Sequence, residues 1–462
     1  MKNSRILTLA SALILCTAFL NSCSTNKRSI SEKQPNIIFF LIDDQRDETL
    51  GCYGHPILQT PTVDGLAERG MRFSNAFVTT SICAASRASI LTGVTERTHG
   101  YTFGNPPKIV PASVAKTNYP QLLKEAGYRT AFYGKYGCRL DADTAKMFDS
   151  FKAIGRNPFF HKMPDGSKRH ETDLCADYAI EFIHSQSEDQ PFCISVSFNA
   201  AHAEDSDKRP GIGHFPWPPS VDGMYEDIRI PSPEIDTTFY QDIPEFLGQS
   251  LNRERYFWRW DTPEKYQTNM RAYFRMISGI DHAINRVVET LEEKGLAENT
   301  VIIYAGDNGY YMGDRGFAGK WSHYEQSLRV PLIVSDPRLP EKEQNKVNSS
   351  LTLNIDIPAT ILDLAGVAVP DIYQGESLVP LVTGEASDNG REDFLCEHLW
   401  DIDFIPKWEG VRSKRYVYAR YFGQDPVYEF LHDLEKDPLQ LKNFADDSEY
   451  LNILEEMQQK CD

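Results

Sequence analysis

The amino-acid sequence predicts an α/β fold: a large mixed, mostly parallel sheet flanked by helices, joined to a small C-terminal antiparallel sheet subdomain. Three observations predict it. Several short runs are apolar throughout, as strands buried on both faces are. Segments of helical periodicity separate them, the order expected of strand–helix–strand units. After about residue 385 the pattern changes to short alternating segments of the antiparallel kind.

The elements run in chain order. Residues 36–42, Asn-Ile-Ile-Phe-Phe-Leu-Ile, read as the first buried strand. Residues 84–91 are good helix formers, and Gly93 is a natural stop behind them. Residues 119–127 form a helix closed by glycine, and 129–133 the next strand. A helix over 174–186 precedes a strand over 192–198. Residues 269–295 form a long amphipathic helix ending in Lys294-Gly295, ahead of strands at 300–305 and 331–334. In the C-terminal part, 415–419 and 427–430 read as strands and 450–459 as a closing helix.

The N-terminus is read apart from this fold. Lys2 and Arg5 precede an apolar run at 7–20, too short for a comfortable membrane span, and Leu20-Asn21-Ser22-Cys23 comes directly after it. That is the build of a secretory signal, and its ending resembles a bacterial lipobox, whose cysteine becomes a lipidated N-terminus. The expected organisation is a signal over 1–22, a polar tether over 23–34, a catalytic domain over 35–385 and a C-terminal subdomain over 386–462. The expected location is the bacterial envelope (periplasm or outer membrane), with membrane contact only through a lipid on Cys23. Hydrophobic content of 41% argues for a globular body. A net charge of −18 speaks against nucleic acid as a partner and against a long polyanion, unless a locally basic pocket takes a chain end. The nine cysteines show no paired metal-ligand spacing. Export would permit disulfides among Cys52, Cys138, Cys175, Cys193, Cys396 and Cys461.

The chemistry is concentrated just past the strand ends. The first strand leads into Asp43-Asp44, the second into Gly134-Lys135, the third into Asn199-Ala200-Ala201-His202 and the fourth into Gly306-Asp307-Asn308-Gly309. Open α/β sheets bind ligands outside the carboxyl ends of their strands. Asp43, Asp44, Asp307 and Asn308, massed without a balancing base, would repel one another unless a hard divalent cation sits among them. All-oxygen ligation suits calcium or magnesium over zinc, and a protein-built cage favours calcium. A second cluster is Cys83-Ala84-Ala85-Ser86-Arg87. It puts Cys83 at a helix N-terminus, where negative charge is favoured, with Arg87 one turn on along the same face.

These motifs resemble the signature of the formylglycine-dependent sulfatases, within the alkaline-phosphatase superfamily. The resemblance rests on Asp43-Asp44, Cys83-x-x-Ser86-Arg87 with Leu91-Thr92-Gly93, Gly134-Lys135, His202, Gly306-Asp307-Asn308-Gly309, and Gly319-Lys320 before Leu328-Arg329-Val330-Pro331. It implies that a separate maturation enzyme oxidises Cys83 to formylglycine (3-oxoalanine). It further implies one calcium ligated by Asp43, Asp44, Asp307, Asn308 and the modified residue 83. Arg87, Lys135, His202 and Lys320 would be the catalytic and sulfate-binding side chains, with His202 the first candidate proton donor and Lys320 the second. Two positions depart from the pattern. Ala85 replaces the proline of Cys-x-Pro-x-Arg, and Gly137 replaces the histidine of Gly-Lys-Trp-His. His99 and His323 are nearby in the motif order, but neither is assigned its role.

The expected reaction is sulfate-ester hydrolysis, exo-acting on a sulfated saccharide. Arg253, Arg255, Arg259, Lys265 and Arg271, interleaved with Tyr256, Trp258 and Trp260, read either as sugar contacts or as one packed amphipathic helix. Residues 397–400, Lys407 and Trp408 are further sugar-reading candidates, whereas residues 214–219 read as a rigid structural loop. Two rival readings are a phosphatase or phosphonate hydrolase of the same superfamily and a lipid-anchored glycan-binding protein with an inactive site.

Overall fold

The computed structural model describes residues 33–103, 108–187, 189–206, 214–235 and 243–462. The signal over 1–22, Cys23 and nearly all of the tether lie outside them. Asn36–Ile42 is buried along its whole length because it has a parallel neighbour on each side, Phe192–Ser197 and Thr300–Gly306. Its alternate residues feed two different cores. Ile37, Phe39 and Leu41 pack with Ala84, Ala88 and Leu91 of the helix Cys83–Thr92, while Ile38, Phe40 and Ile42 pack with Ala176, Ala179 and Ile183 of the helix Glu171–His184. Helices therefore cover both faces, and no polar face remains to create an alternating pattern.

The sheet has eight strands in the order Lys346–Asn348, Gly70–Phe73, Leu332–Ser335, Thr300–Gly306, Asn36–Ile42, Phe192–Ser197, Arg129–Gly134 and Ser150–Ala153. Only Leu332–Ser335 runs against its neighbours within it. The mixed, mostly parallel sheet expected from sequence is thus the one observed. A second sheet of four antiparallel strands, Asp393–His398, Trp408–Ser413, Tyr416–Tyr421 and Tyr428–Asp433, lies in the C-terminal part. One face presents Trp408, Ala419, Tyr421 and Phe430 to the main core. The other receives Met457 and Cys461 of the helix Leu451–Cys461 over Val411, Tyr418 and Leu431.

One element differs from the sequence reading in a way that matters for the site. The long helix runs Pro263–Glu293, six residues earlier than the periodicity indicates. Its start is set by Thr262, whose side chain accepts from the Lys265 amide, and by Pro263 in the first turn. Residues 251–275 are accordingly not one helix. Leu251–Arg259 is a separate helix, and residues 260–262 break it from the long one. The described cysteines, Cys52 through Cys461, are all free thiols.

Candidate active site

Four neighbouring strands carry the site at their carboxyl ends. Across the sheet, Thr300–Gly306 delivers Asp307 and Asn308, Asn36–Ile42 delivers Asp43 and Asp44, Phe192–Ser197 leads to His202, and Arg129–Gly134 leads to Lys135. Asp43, Asp44, Asp307 and Asn308 are essentially without solvent contact. Asp44 takes a left-handed backbone conformation (φ 54), rare for a residue with a Cβ and frequent at functional sites. In it, the Asp44 amide donates to Asp307 Oδ1 at 3.2 Å, which brings the two strand ends together.

The acidic residues do not stand unbalanced, as sequence alone implied. Each carboxylate has its own cation: Lys135 Nζ on Asp43, Lys320 Nζ on Asp44, and Arg87 Nε on Asp307 at 2.7 Å. These partners reach in from a strand end, a loop and a helix, at sequence separations of 92, 276 and 220. Burial raises the Asp43 carboxyl, but Lys135, Lys320 and Arg87 outweigh it and hold it at about 2. Burial and the neighbouring Asp43 charge push Asp307 up to about 6.

Two buried oxygens in this cluster, Asp43 Oδ1 and Asn308 Oδ1, have no hydrogen-bond partner. Asn308 Nδ2 is meanwhile engaged by Asp44 Oδ1 at 2.8 Å and by the Gly309 carbonyl. Orphaned buried acceptors are costly and call for a donor or a cation. Asp43, Asp44 and His202 also bring ligand atoms within 4.8 Å of one another. The donor set therefore fits a divalent metal ion.

Cys83 opens the ten-residue helix Cys83–Thr92, and Gly93 ends it in the left-handed conformation (φ 70). Arg87 is 2% exposed and is committed to Asp307, to the Lys135 carbonyl at 2.7 Å and to Ser197 Oγ. It thereby ties this helix to three strand ends. A cavity of about 1060 Å³ opens above the cluster, and Cys83, Lys135, His202 and Lys320 line its floor. All nine residues expected from sequence converge here.

His202 sits with Nε2 3.6 Å from Asp44 Oδ2 and Nδ1 2.8 Å from the Ala203 carbonyl. Arg156 Nη1 lies 2.7 Å from Nδ1 and 2.8 Å from Nε2. Burial and then Arg156, with Lys320 and Lys135 behind it, hold the imidazole well below its usual range, so it is neutral in the free protein. Gly137 has φ +72, and a Cβ there would meet Arg87 Cδ at 2.8 Å. The position beside Lys135 is thus closed to histidine by the Arg87 side chain. His99 bonds to Ser89 Oγ, and His323 to Tyr421 and His432; neither lines the cavity.

The upper wall contains residues that sequence reasoning missed: Arg156, Asp205 and Trp321. Asp205 lies only three positions beyond His202, which was the available signal. Arg156 comes after the short edge strand Ser150–Ala153, which carried none. Of the proposed sugar-reading residues, Arg255 and Trp400 line the cavity. Trp408 is fully buried and donates to the Trp321 carbonyl at 2.9 Å, while Glu397 is bound to Arg97. The 214–219 loop is structural, with Phe215 packed on Trp260, Tyr273 and Tyr310.

Known proteins resemble this chain over nearly all of its length. The profile of the family described as Sulfatase matches residues 35–367, and that described as N-sulphoglucosamine sulphohydrolase, C-terminal, matches 313–462. The chain is 27% identical to an N-acetylglucosamine-6-O-sulfatase of Bacteroides thetaiotaomicron, over 97% of this chain and 89% of that protein. It is 26% identical to an ulvan-active sulfatase of Formosa agariphila, over 97% and 85%. Among solved structures, a protein in complex with its substrate D-glucosamine-2-N,6-O-disulfate superposes with a TM-score of 0.73. Identity there is 25%, over 93% of this chain and 97% of that one.

Proposed function

The chain belongs to the sulfatase family, hydrolases of sulfuric esters, and from that premise we propose that it is an exo-acting carbohydrate sulfatase. In this reading it works through formylglycine at residue 83 and one bound calcium. The observation that carries the proposal is the set of three buried carboxylate–cation pairs, two of whose cations, Lys135 and Lys320, line the same cavity as Cys83. The carbohydrate assignment draws support from the sugar sulfatases among its relatives.

As formylglycine hydrate, residue 83 supplies two hydroxyls on one carbon, the first a nucleophile and the second a means of releasing sulfate. Asp43, Asp44, Asp307 and Asn308 would hold the cation, which would supply Lewis-acid charge at this site. Lys135 and Lys320 then hold the sulfate oxygens, each charge-assisted contact contributing roughly 1.5–3 kcal/mol. Arg87 keeps Asp307 and the Lys135 backbone in place, a positioning role. His202 delivers the proton to the departing sugar oxygen. It is neutral in the free site, and the arriving sulfate monoanion favours its protonation.

The experiment is sulfate release from sulfated mono- and disaccharides by the chain expressed with a formylglycine-generating enzyme, alongside Cys83→Ala. The intact chain is expected to release sulfate and the variant essentially none; equal release from both would reject the proposal. We further propose that Cys23 carries a lipid anchor in the envelope. Cys23→Ser is then expected to move the protein from the membrane fraction to the soluble one.

A further inference from the structure

The cavity wall that carries Arg156, Asp205 and Arg255 holds more positive charge than its own acids offset. Asp205 is the single carboxylate there, and three guanidinium groups converge on it: Arg255 Nη2 at 2.9 Å, Arg156 Nη2 at 3.7 Å, and Arg259 Nη2 in direct contact. Arg259 is fully buried beneath the carboxylate and does not line the cavity. One arginine is enough to neutralise Asp205. The remaining two, Arg156 and Arg255, line the cavity, and the buried Nε atom of each has no hydrogen-bond partner.

The arrangement is built rather than incidental. Arg255 and Arg259 lie four residues apart on the helix Leu251–Arg259, so one helical face supplies both. The Arg255 guanidinium is held 5.1 Å over the Trp321 ring, a cation–π contact that fixes its plane at the cavity wall. Arg156 spans the space between His202 and Asp205, so the surplus charge begins one side chain away from the expected leaving oxygen. The other cavity acid, Asp401, is exposed and engaged by Lys407, so it offsets nothing at this wall. Holding three guanidinium groups around one carboxylate costs Coulomb repulsion among them that a bound anion would relieve.

We propose that Arg255, with Arg156, forms a second anion-binding position beside the sulfate to be cleaved, so that the preferred substrate is a saccharide bearing two anionic groups. This rests on the sulfatase reading above and names the substrate class within it. The second group is a sulfate or a carboxylate, on the same sugar or the next. Arg156 also touches His202, so Arg255 is the cleaner reporter.

The test is calorimetric binding to the full chain carrying Cys83→Ala, which cannot turn substrate over. One arm compares glucosamine 6-sulfate with glucosamine 2-N,6-O-disulfate. The other compares a uronate-linked disaccharide of glucosamine 6-sulfate with its carboxyl-reduced form. With Arg255 present, the doubly charged ligand of at least one arm is expected to bind about tenfold more tightly. Arg255→Gln should bring that ratio within about twofold, and Arg255→Lys should restore part of it. The arm that responds identifies the second group as sulfate or carboxylate. Equal affinities in both arms, a preference that survives Arg255→Gln, or no binding of any of these ligands would overturn the inference. Because a lost fold would weaken all ligands alike, the ratio separates recognition from damage. If the formylglycine-bearing chain released no sulfate while the charge preference held, the sulfatase reading would fail and the anion position would stand.

Discussion

Gly137→Ala is a small change that should be felt across the whole cation cluster. The native glycine has φ +72, a conformation that costs an L-residue roughly 1–2 kcal/mol. The new Cβ would also stand 2.8 Å from Arg87 Cδ and 3.6 Å from both Arg87 Nε and Lys135 Cε. Relief requires Arg87 to move, and Arg87 holds Asp307 at 2.7 Å and the Lys135 carbonyl at 2.7 Å. Weakening one such charge-assisted bond costs about 1.5–3 kcal/mol, so kcat/KM for sulfate release should fall by about 10- to 100-fold. Gly137→His, which would restore the family's residue, should fare worse, because its longer side chain enters the same space. Steady-state kinetics with a thermal melt on each variant decides the matter. Activity of Gly137→Ala within twofold of wild type, or faster turnover in Gly137→His, would refute the reasoning.

Other consequences can be measured on the same protein. If the proposed calcium binds, at 100 times its dissociation constant it would add about 2.7 kcal/mol of stability, so the melt should rise by several degrees over a chelated sample. Asp43→Asn should remove most of that rise; if the variant keeps it in full, the ion binds elsewhere. Glu96 is pushed up to about 8 from 4.5, first by burial and then by Glu397. The folded chain keeps this proton while the unfolded chain has already released it, so wild type loses stability as pH climbs from about 4.5 through about 8. Glu96→Gln should therefore be the more stable protein at pH 8.5, by on the order of a few kcal/mol, with the difference closing toward pH 4. Urea melts across pH test this, and a difference that ignores pH would dismiss it. Thr262→Ala removes the cap of the long helix and should cost about 1 kcal/mol, read as a lower denaturation midpoint.

The legible part of this protein is legible for a physical reason. Asn36–Ile42 is apolar throughout because it feeds a core on each face, and its polar successors stand out at once. The same contrast marks Lys135, His202, Asp307 and Asn308, each at or just past a strand end. Ser150–Ala153, by contrast, is a four-residue edge strand whose side chains alternate between partly buried and exposed, so nothing marks Arg156 behind it. The charge balance is hidden for another reason. Lys320 and Asp44 are 276 positions apart, and no local pattern encodes a pairing at that range. The long helix begins ahead of its periodicity because a threonine–proline cap, not hydrophobic spacing, decides where it starts.

Under the proposed formylglycine chemistry, the burial of Cys83 would impose an order of events on the chain's biogenesis. Its side chain is 6% exposed, and the segment leading to it is clamped from the far end of the sequence, where the Glu397 amide donates to the Thr79 carbonyl. In the folded chain that thiol lies at the floor of the cavity, out of reach of a catalyst that must enclose the polypeptide around it. Oxidation to the aldehyde would then have to reach the nascent or unfolded polypeptide, and a chain that folded first would be locked out of its own activation.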